Sequence, residues 1–169
     1  MRKRTNVKIY SVLLLGALLL LGGCATSSKS TKAPVPCIKS PAVTEQLASI
    51  PIIQIGQTMT IVIASDRLFV SHSANFQEKA KPMLNAVACL IASYNKVAVR
   101  VKGYTDNSSP SIYNHALSAQ QAAQVADYLW DYGIDVRIIS ADGLGNVHPL
   151  TLNNPAMNRR IEIEFREIK

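Results

Sequence analysis

The stretch Val97-Ala98-Val99-Arg100-Val101-Lys102-Gly103-Tyr104-Thr105-Asp106 decides the fold of this chain. Its apolar residues alternate at Val97, Val99 and Val101, the period of a strand buried on one face. Ala98, Arg100 and Lys102 share the other face, which is the less buried one. Gly103 to Asp106 marks where this strand leaves the sheet. A second phrase, Asn158-Arg159-Arg160, opens another alternating run through Ile161, Ile163 and Phe165, so it marks where a strand enters. One acid and two guanidiniums therefore stand at sheet ends, where loops can gather them into a site.

The segments around these phrases supply the remaining elements. Met59 to Ala64 is a β-rich run, and Leu68-Phe69-Val70 continues or follows it. Asn75 to Tyr94 reads as a helix, with Ala80, Leu84, Val87, Ala88 and Ile91 at helical spacing. Pro82 fits its first turn, which places the regular start near Lys81. A second helix runs through Leu117, Gln121, Val125 and Leu129. Gly133 follows as its C′ residue, and Ile134 as the apolar contact of a Schellman turn. Ile138-Ile139 reads as a short buried strand. Asp142-Gly143-Leu144-Gly145 is too short for a dinucleotide fingerprint and reads as a turn. The order β-α-β-α-β-β predicts an α+β two-layer sandwich, a mixed sheet with helices on one face.

The N-terminal third has a different character. Arg2, Lys3, Arg4 and Lys8 precede an uncharged run from Ile9 to Leu21, the basic and apolar regions of a signal peptide, too short to span a bilayer. Leu21-Gly22-Gly23-Cys24 then matches the bacterial lipobox, in which the cysteine is acylated and becomes the first residue. The chain so divides into a lipoprotein signal peptide (1–23), a lipidated tether rich in Ser, Thr, Lys and Pro (24–41), a pre-domain segment (42–57) and a domain (58–169). The pre-domain segment, interrupted by Pro51, either packs on the domain or meets a partner.

Charge changes once the leader is removed. The full chain carries 18 basic and 11 acidic residues, a net +7, but losing the four leader cations lowers this to +3. Scattered cations at +3 leave no nucleic-acid footprint. Several acyl chains on Cys24 would hold a membrane stably. Cys37 and Cys89 remain, open to a disulfide in an oxidising compartment or to life as a free thiol and a small core residue. His72, His115 and His148 are isolated from one another and from the cysteines, so no metal spacing appears. No cofactor loop or catalytic constellation is present either, and the chain does not read as an enzyme.

These phrases resemble the OmpA-like C-terminal domain, the peptidoglycan-anchoring module of Gram-negative envelopes, from about Thr58 to Arg166. The resemblance implies a non-enzymatic binding protein whose ligand is the diaminopimelate of the peptidoglycan stem peptide. An acid takes the ammonium of that residue and a guanidinium takes its carboxylate. It implies site roles for Thr105, Asp106, Asn114, Gln121, Arg159 and Arg160. Ala25, where inner-membrane lipoproteins carry Asp, implies an outer-membrane address facing the periplasm. Gln121 departs from the family, which has an arginine at that place in the helix. Ser109 replaces a loop glycine, and Val70 stands near where many members carry another acid. Charge-assisted bonds contribute about 1.5–3 kcal/mol against about 1 for neutral ones, so the site is read as weakened.

Blander roles stand beside these. Asp106 fits an Asx turn, Ser118-x-x-Gln121 fits a capping box, and Arg159 and Arg160 point to opposite strand faces, so at most one meets the loop. Short length, tether and weakened site resemble the OmpA-like lipoproteins of type IVB (Dot/Icm) secretion systems, which implies partners in an outer-membrane core complex. A freestanding anchor of the Pal type is the alternative.

Overall fold

The computed structural model describes residues 40–94 and 96–168, except the side chain of Val136. The signal-peptide and lipidation expectations, with Cys24 and Cys37, lie outside the described residues.

The chain opens with α1 (Pro41–Ala48), started by Pro41 in the first turn and by Ser40, whose Oγ accepts from Val43 N. The hairpin β1 (Ile52–Ile55) and β2 (Thr58–Ala64) follows, then the single turn α2 (Ser65–Leu68). Gly56 turns the hairpin at φ +60, the left-handed conformation that two-residue hairpin loops demand. Next come α3 (Ala80–Ala92), β3 (Val97–Tyr104), α4 (Ser111–Tyr132), a 3₁₀ turn (Val136–Ile138) and β4 (Ile139–Gly145). The short α5 (Pro155–Asn158) precedes β5 (Arg160–Glu167).

The five strands form one mixed sheet in the order β1-β2-β5-β3-β4, parallel only between β3 and β4. Ile61, Ile63, Val97, Val99, Val101, Ile161 and Ile163 turn their side chains to α3 and α4, making one core with Leu84, Val87, Ile91, Val125 and Leu129. The opposite face carries cross-strand charge, with Arg100 paired to Asp142 and Lys102 to Glu164. The α+β two-layer arrangement with a mixed sheet is as expected.

The structure resolves two readings left open and revises others. The pre-domain residues are built in: β1 pairs with β2, and α1 packs on α3, so the sheet begins at Ile52. Regular helix begins at Ala80, close to the expected start near Lys81, while Phe76, outside it, stacks on Phe69 at 5.1 Å and forms an isolated bridge with it. Pro82 does fall in the first turn. Leu68 ends the single-turn helix rather than prolonging the strand.

Asp142-Gly143-Leu144-Gly145 is strand and not turn. A Cβ on Gly143 would stand 2.4 Å from Ala119 N, and one on Gly103 only 2.2 Å from Ser118 O. These glycines let α4 lie directly on the β3–β4 pair. Ile139 opens β4 and is only partly buried, because β4 is an edge strand. Ser118 sits well inside α4, which starts at Ser111, so no capping box exists there. The C-terminus of α4 does close as a Schellman turn, with Gly133 at φ +116 and Ile134 N donating to Leu129 O.

Candidate functional site

The ends of β3 and β5 are adjacent, with Tyr104 opposite Arg160. The loop leaving β3 and the residue entering β5 therefore meet. Asp106 is 7% exposed, and its Oδ2 accepts from Arg159 Nη1 at 2.6 Å. Its Oδ1 accepts from the backbone and the hydroxyl of Ser108, so it is also an Asx-turn residue. Burial alone would raise the Asp106 carboxyl, but the Ser108 and Arg159 hydrogen bonds outweigh it and hold the group below its ordinary value. It is an ionised carboxylate held near the surface.

Asp106 and Arg159 line a cleft of about 430 Å³ with Thr105, Tyr104, Gln121 and residues of the α2 region, among them Ser65, Asp66 and His72. Ser65 N donates to Arg159 O, which ties α2 to the start of β5. Gln121 reaches across from α4, its Nε2 donating to Ser73 O at 2.8 Å. The hydroxyls of Ser65 and Thr105 are buried and have no hydrogen-bond partner. They are the only such side-chain atoms among the described residues, and both belong to residues of this cleft. Two other hollows, near Tyr94 and along Arg100 on the open sheet face, are larger but have no such atom. Unmet buried hydroxyls are capacity for a ligand's polar atoms or a bound water.

The six candidate residues divide. Thr105, Asp106, Gln121 and Arg159 share the cleft. Asn114 lies behind the loop, its Nδ2 donating to the carbonyls of Asp106 and Ser109, and it shapes the loop without lining the cleft. Arg160 is turned away: it is 3% exposed, its Nε bonds Glu162 at 2.7 Å, and its guanidinium lies 3.7 Å over the Tyr104 ring. Val70 lines the cleft, half exposed.

Ser65, Asp66 and His72 escaped the sequence reading as cleft residues because they precede the strand phrases, the first two on a helix of one turn and His72 in the turn after it. The β-rich run ending at Ala64 was their one signal, since residues just past a strand gather at the same sheet end. Cys89 is buried on α3 and disulfide-bonded, while its partner lies outside the described residues. Among the described residues no cluster of three or more His, Cys, Asp or Glu could hold a metal, and no helix is long and apolar enough to cross a membrane.

Comparison with known proteins adds the family. The chain is 35% identical over 112 residues to the probable lipoprotein YiaD of Escherichia coli, covering 64% of this chain and 51% of that protein. It is 34% identical over 120 residues to the peptidoglycan-binding protein ArfA of Mycobacterium tuberculosis, covering 69% of this chain but only 37% of that one. The chain thus spans about half or less of these relatives' lengths. Among solved structures, the cell wall anchor of the type VI secretion system from Pseudomonas aeruginosa superposes with a TM-score of 0.66 at 26% identity, over 75% of this chain and 97% of that one. The periplasmic domain of Helicobacter pylori MotB gives 0.66 at 23% identity, over 75% and 85%, and shares the fold. Residues 68–162, more than half of the sequence and all of the site from Leu68 onward, match the OmpA family, and the chain belongs to it.

Proposed function

We propose that this chain is an outer-membrane lipoprotein, anchored through Cys24 and facing the periplasm. Its domain holds the peptidoglycan stem peptide weakly, as a non-enzymatic part of an envelope assembly. The observation that carries the reading is the cleft: an ionised, buried Asp106 beside two buried hydroxyls with unmet capacity, in a member of the OmpA family. Asp106 suits an ammonium, and Thr105 and Ser65 suit the polar atoms around it. The mycobacterial relative is named for peptidoglycan binding and the Pseudomonas structure is a cell wall anchor, which supports the same ligand.

Co-sedimentation of the full chain in detergent with purified sacculi, at fixed salt, tests this. Wild type should pellet, and Asp106→Asn, which keeps the shape but not the charge, should stay largely in solution. Equal pelleting of the two would overturn the reading.

The finer reading is that the assembly is the outer-membrane core complex of a type IVB (Dot/Icm) secretion system. Its support is the tether and the absence of a guanidinium at position 121. A machine component held by protein contacts can lose ligand affinity, and Ile55, Ile112 and Leu152, each at least three-quarters exposed, are apolar surface for such contacts. Affinity capture of the solubilised protein from its native cells should bring down other secretion-core proteins. Recovery of the protein without them would favour the freestanding anchor.

A further inference from the structure

Gln121 offers a ligand something other than a weakened arginine. It is 5% exposed, and its Nε2 donates to Ser73 O. A backbone carbonyl only accepts, so this bond fixes which end of the amide is nitrogen. With one N–H committed, Gln121 keeps one N–H donor and a carbonyl acceptor. A carboxylate only accepts. It could take the remaining N–H, but its second oxygen would confront the Gln121 carbonyl. A primary carboxamide presents a donor and an acceptor and complements both.

The charge lining the cleft points the same way. Asp66 and Asp106 set two carboxylates against the one guanidinium of Arg159, which Asp106 already engages at 2.6 Å. An incoming carboxylate would meet an excess of negative charge, whereas an ammonium would be drawn in. The unpartnered hydroxyls of Ser65 and Thr105 are each more than nine-tenths buried and can donate or accept, which suits a neutral polar group.

We infer that the cleft selects an ammonium flanked by a neutral carboxamide, the amidated form of the stem-peptide diamino acid, over the same ammonium flanked by a carboxylate. Asp106 takes the ammonium and Gln121 pairs with the amide. Gln121 is then a specificity residue, and its weakened hold applies to the acid form of the ligand. This rests on the peptidoglycan reading above.

Calorimetric titration of the full chain in detergent tests it with two soluble stem tripeptides. They differ only in the group beside the free ammonium, carboxylate in one and carboxamide in the other. The amide form should bind about tenfold more tightly, the scale of one charge-assisted bond gained or lost. Gln121→Arg should reverse the order. An acid form that binds wild type as tightly or more tightly overturns the inference and leaves the peptidoglycan reading standing. If neither tripeptide binds and sacculi do not pellet the protein, both readings fall. The comparison uses unaltered protein, so it does not depend on a variant's folding.

Discussion

Arg159 and Asp106, 53 residues apart in sequence, form an ion pair at 2.6 Å that joins the exit of β3 to the entry of β5. The carboxylate is nearly buried while Arg159 is 41% exposed, so the two partners are unequal. Removing the arginine leaves a buried charge with only Ser108 for company. Arg159→Ala should cost about 1–2 kcal/mol near pH 7, discounted for the solvent around the guanidinium. Because the folded-state carboxyl is held below its ordinary value, the pair stabilises fully above the unfolded carboxylate range, about pH 4, and fades as pH falls through the lower folded value. Urea denaturation of both proteins at pH 7 and in acid should show the gap closing as pH drops. A gap that widens in acid would contradict this account.

Gly103 and Gly143 carry the contact between α4 and the sheet. A methyl at either position would meet helix backbone, at 2.2 Å from Ser118 O or 2.4 Å from Ala119 N, and backbone cannot rotate away. Gly103→Ala and Gly143→Ala should each destabilise the domain by about 3 kcal/mol or more, the upper range for overpacking. Gly56→Ala meets no atom within 4 Å and strains only its φ of +60, so it should cost about 1 kcal/mol. Thermal melts of the three variants would show the ranking.

Tyr104 lies under the Arg160 guanidinium and is 5% exposed. Burial, then the nearby Glu162 carboxylate, push its phenol up to about 12. A raised folded value means that the neutral phenol stabilises below the unfolded value near 10, and that this contribution, about 2–3 kcal/mol, is lost as pH rises towards 12. Tyrosinate absorbance should show a phenol ionising near pH 12 that disappears in Tyr104→Phe. The variant is needed because burial also raises Tyr128. If the high-pH step persists in Tyr104→Phe, the assignment is wrong.

The sheet was legible because Val97–Val101 and Ile161–Phe165 alternate cleanly, and a strand buried on one face cannot slip register without exposing its core side. The acid and arginine at their ends were legible for the same reason, since strand phase put them at one edge. Less visible was whatever depended on close approach. Gly143 and Gly145 looked like turn residues because glycine serves turns and tight helix–strand contacts alike, and only the path of α4 separates the two. Ser118 and Gln121 looked like a capping box because that spacing also occurs inside helices. The Gln121–Ser73 bond joins residues with no local pattern between them. The direction of Arg159 over Arg160 needed only the strand's alternation plus the identity of the face that packs.

Cys89 is disulfide-bonded, and if Cys24 is acylated in an oxidising compartment, Cys37 is the cysteine expected to pair with it. A closed loop of about 50 residues corresponds to roughly 4 kcal/mol in the chain-entropy view. Cys37→Ser should therefore lower the melting temperature and free one alkylatable thiol at Cys89. Two labelled thiols in the denatured, unreduced wild type would rule the bond out.

Ser118 supports the site from behind. It is fully buried, its Oγ accepts from Gly145 N at 2.9 Å and donates to His115 O, and Gly145 O in turn accepts from Thr105 N at 2.8 Å. One serine on α4 thus fixes the strand residue that holds the cleft loop. Ser118→Ala would leave the Gly145 N–H buried without a partner, at a cost of about 1–3 kcal/mol. Gly145 would then shift to find one, and Thr105 would shift with it. Two readouts follow: reduced stability in urea, and faster hydrogen exchange at the Thr105 amide than global destabilisation alone predicts. Ser118→Thr retains the hydroxyl and adds a methyl at a fully buried position, so it should lose stability through packing and leave that excess exchange small. Equal excess at Thr105 in both variants would show that the hydroxyl does not position the loop.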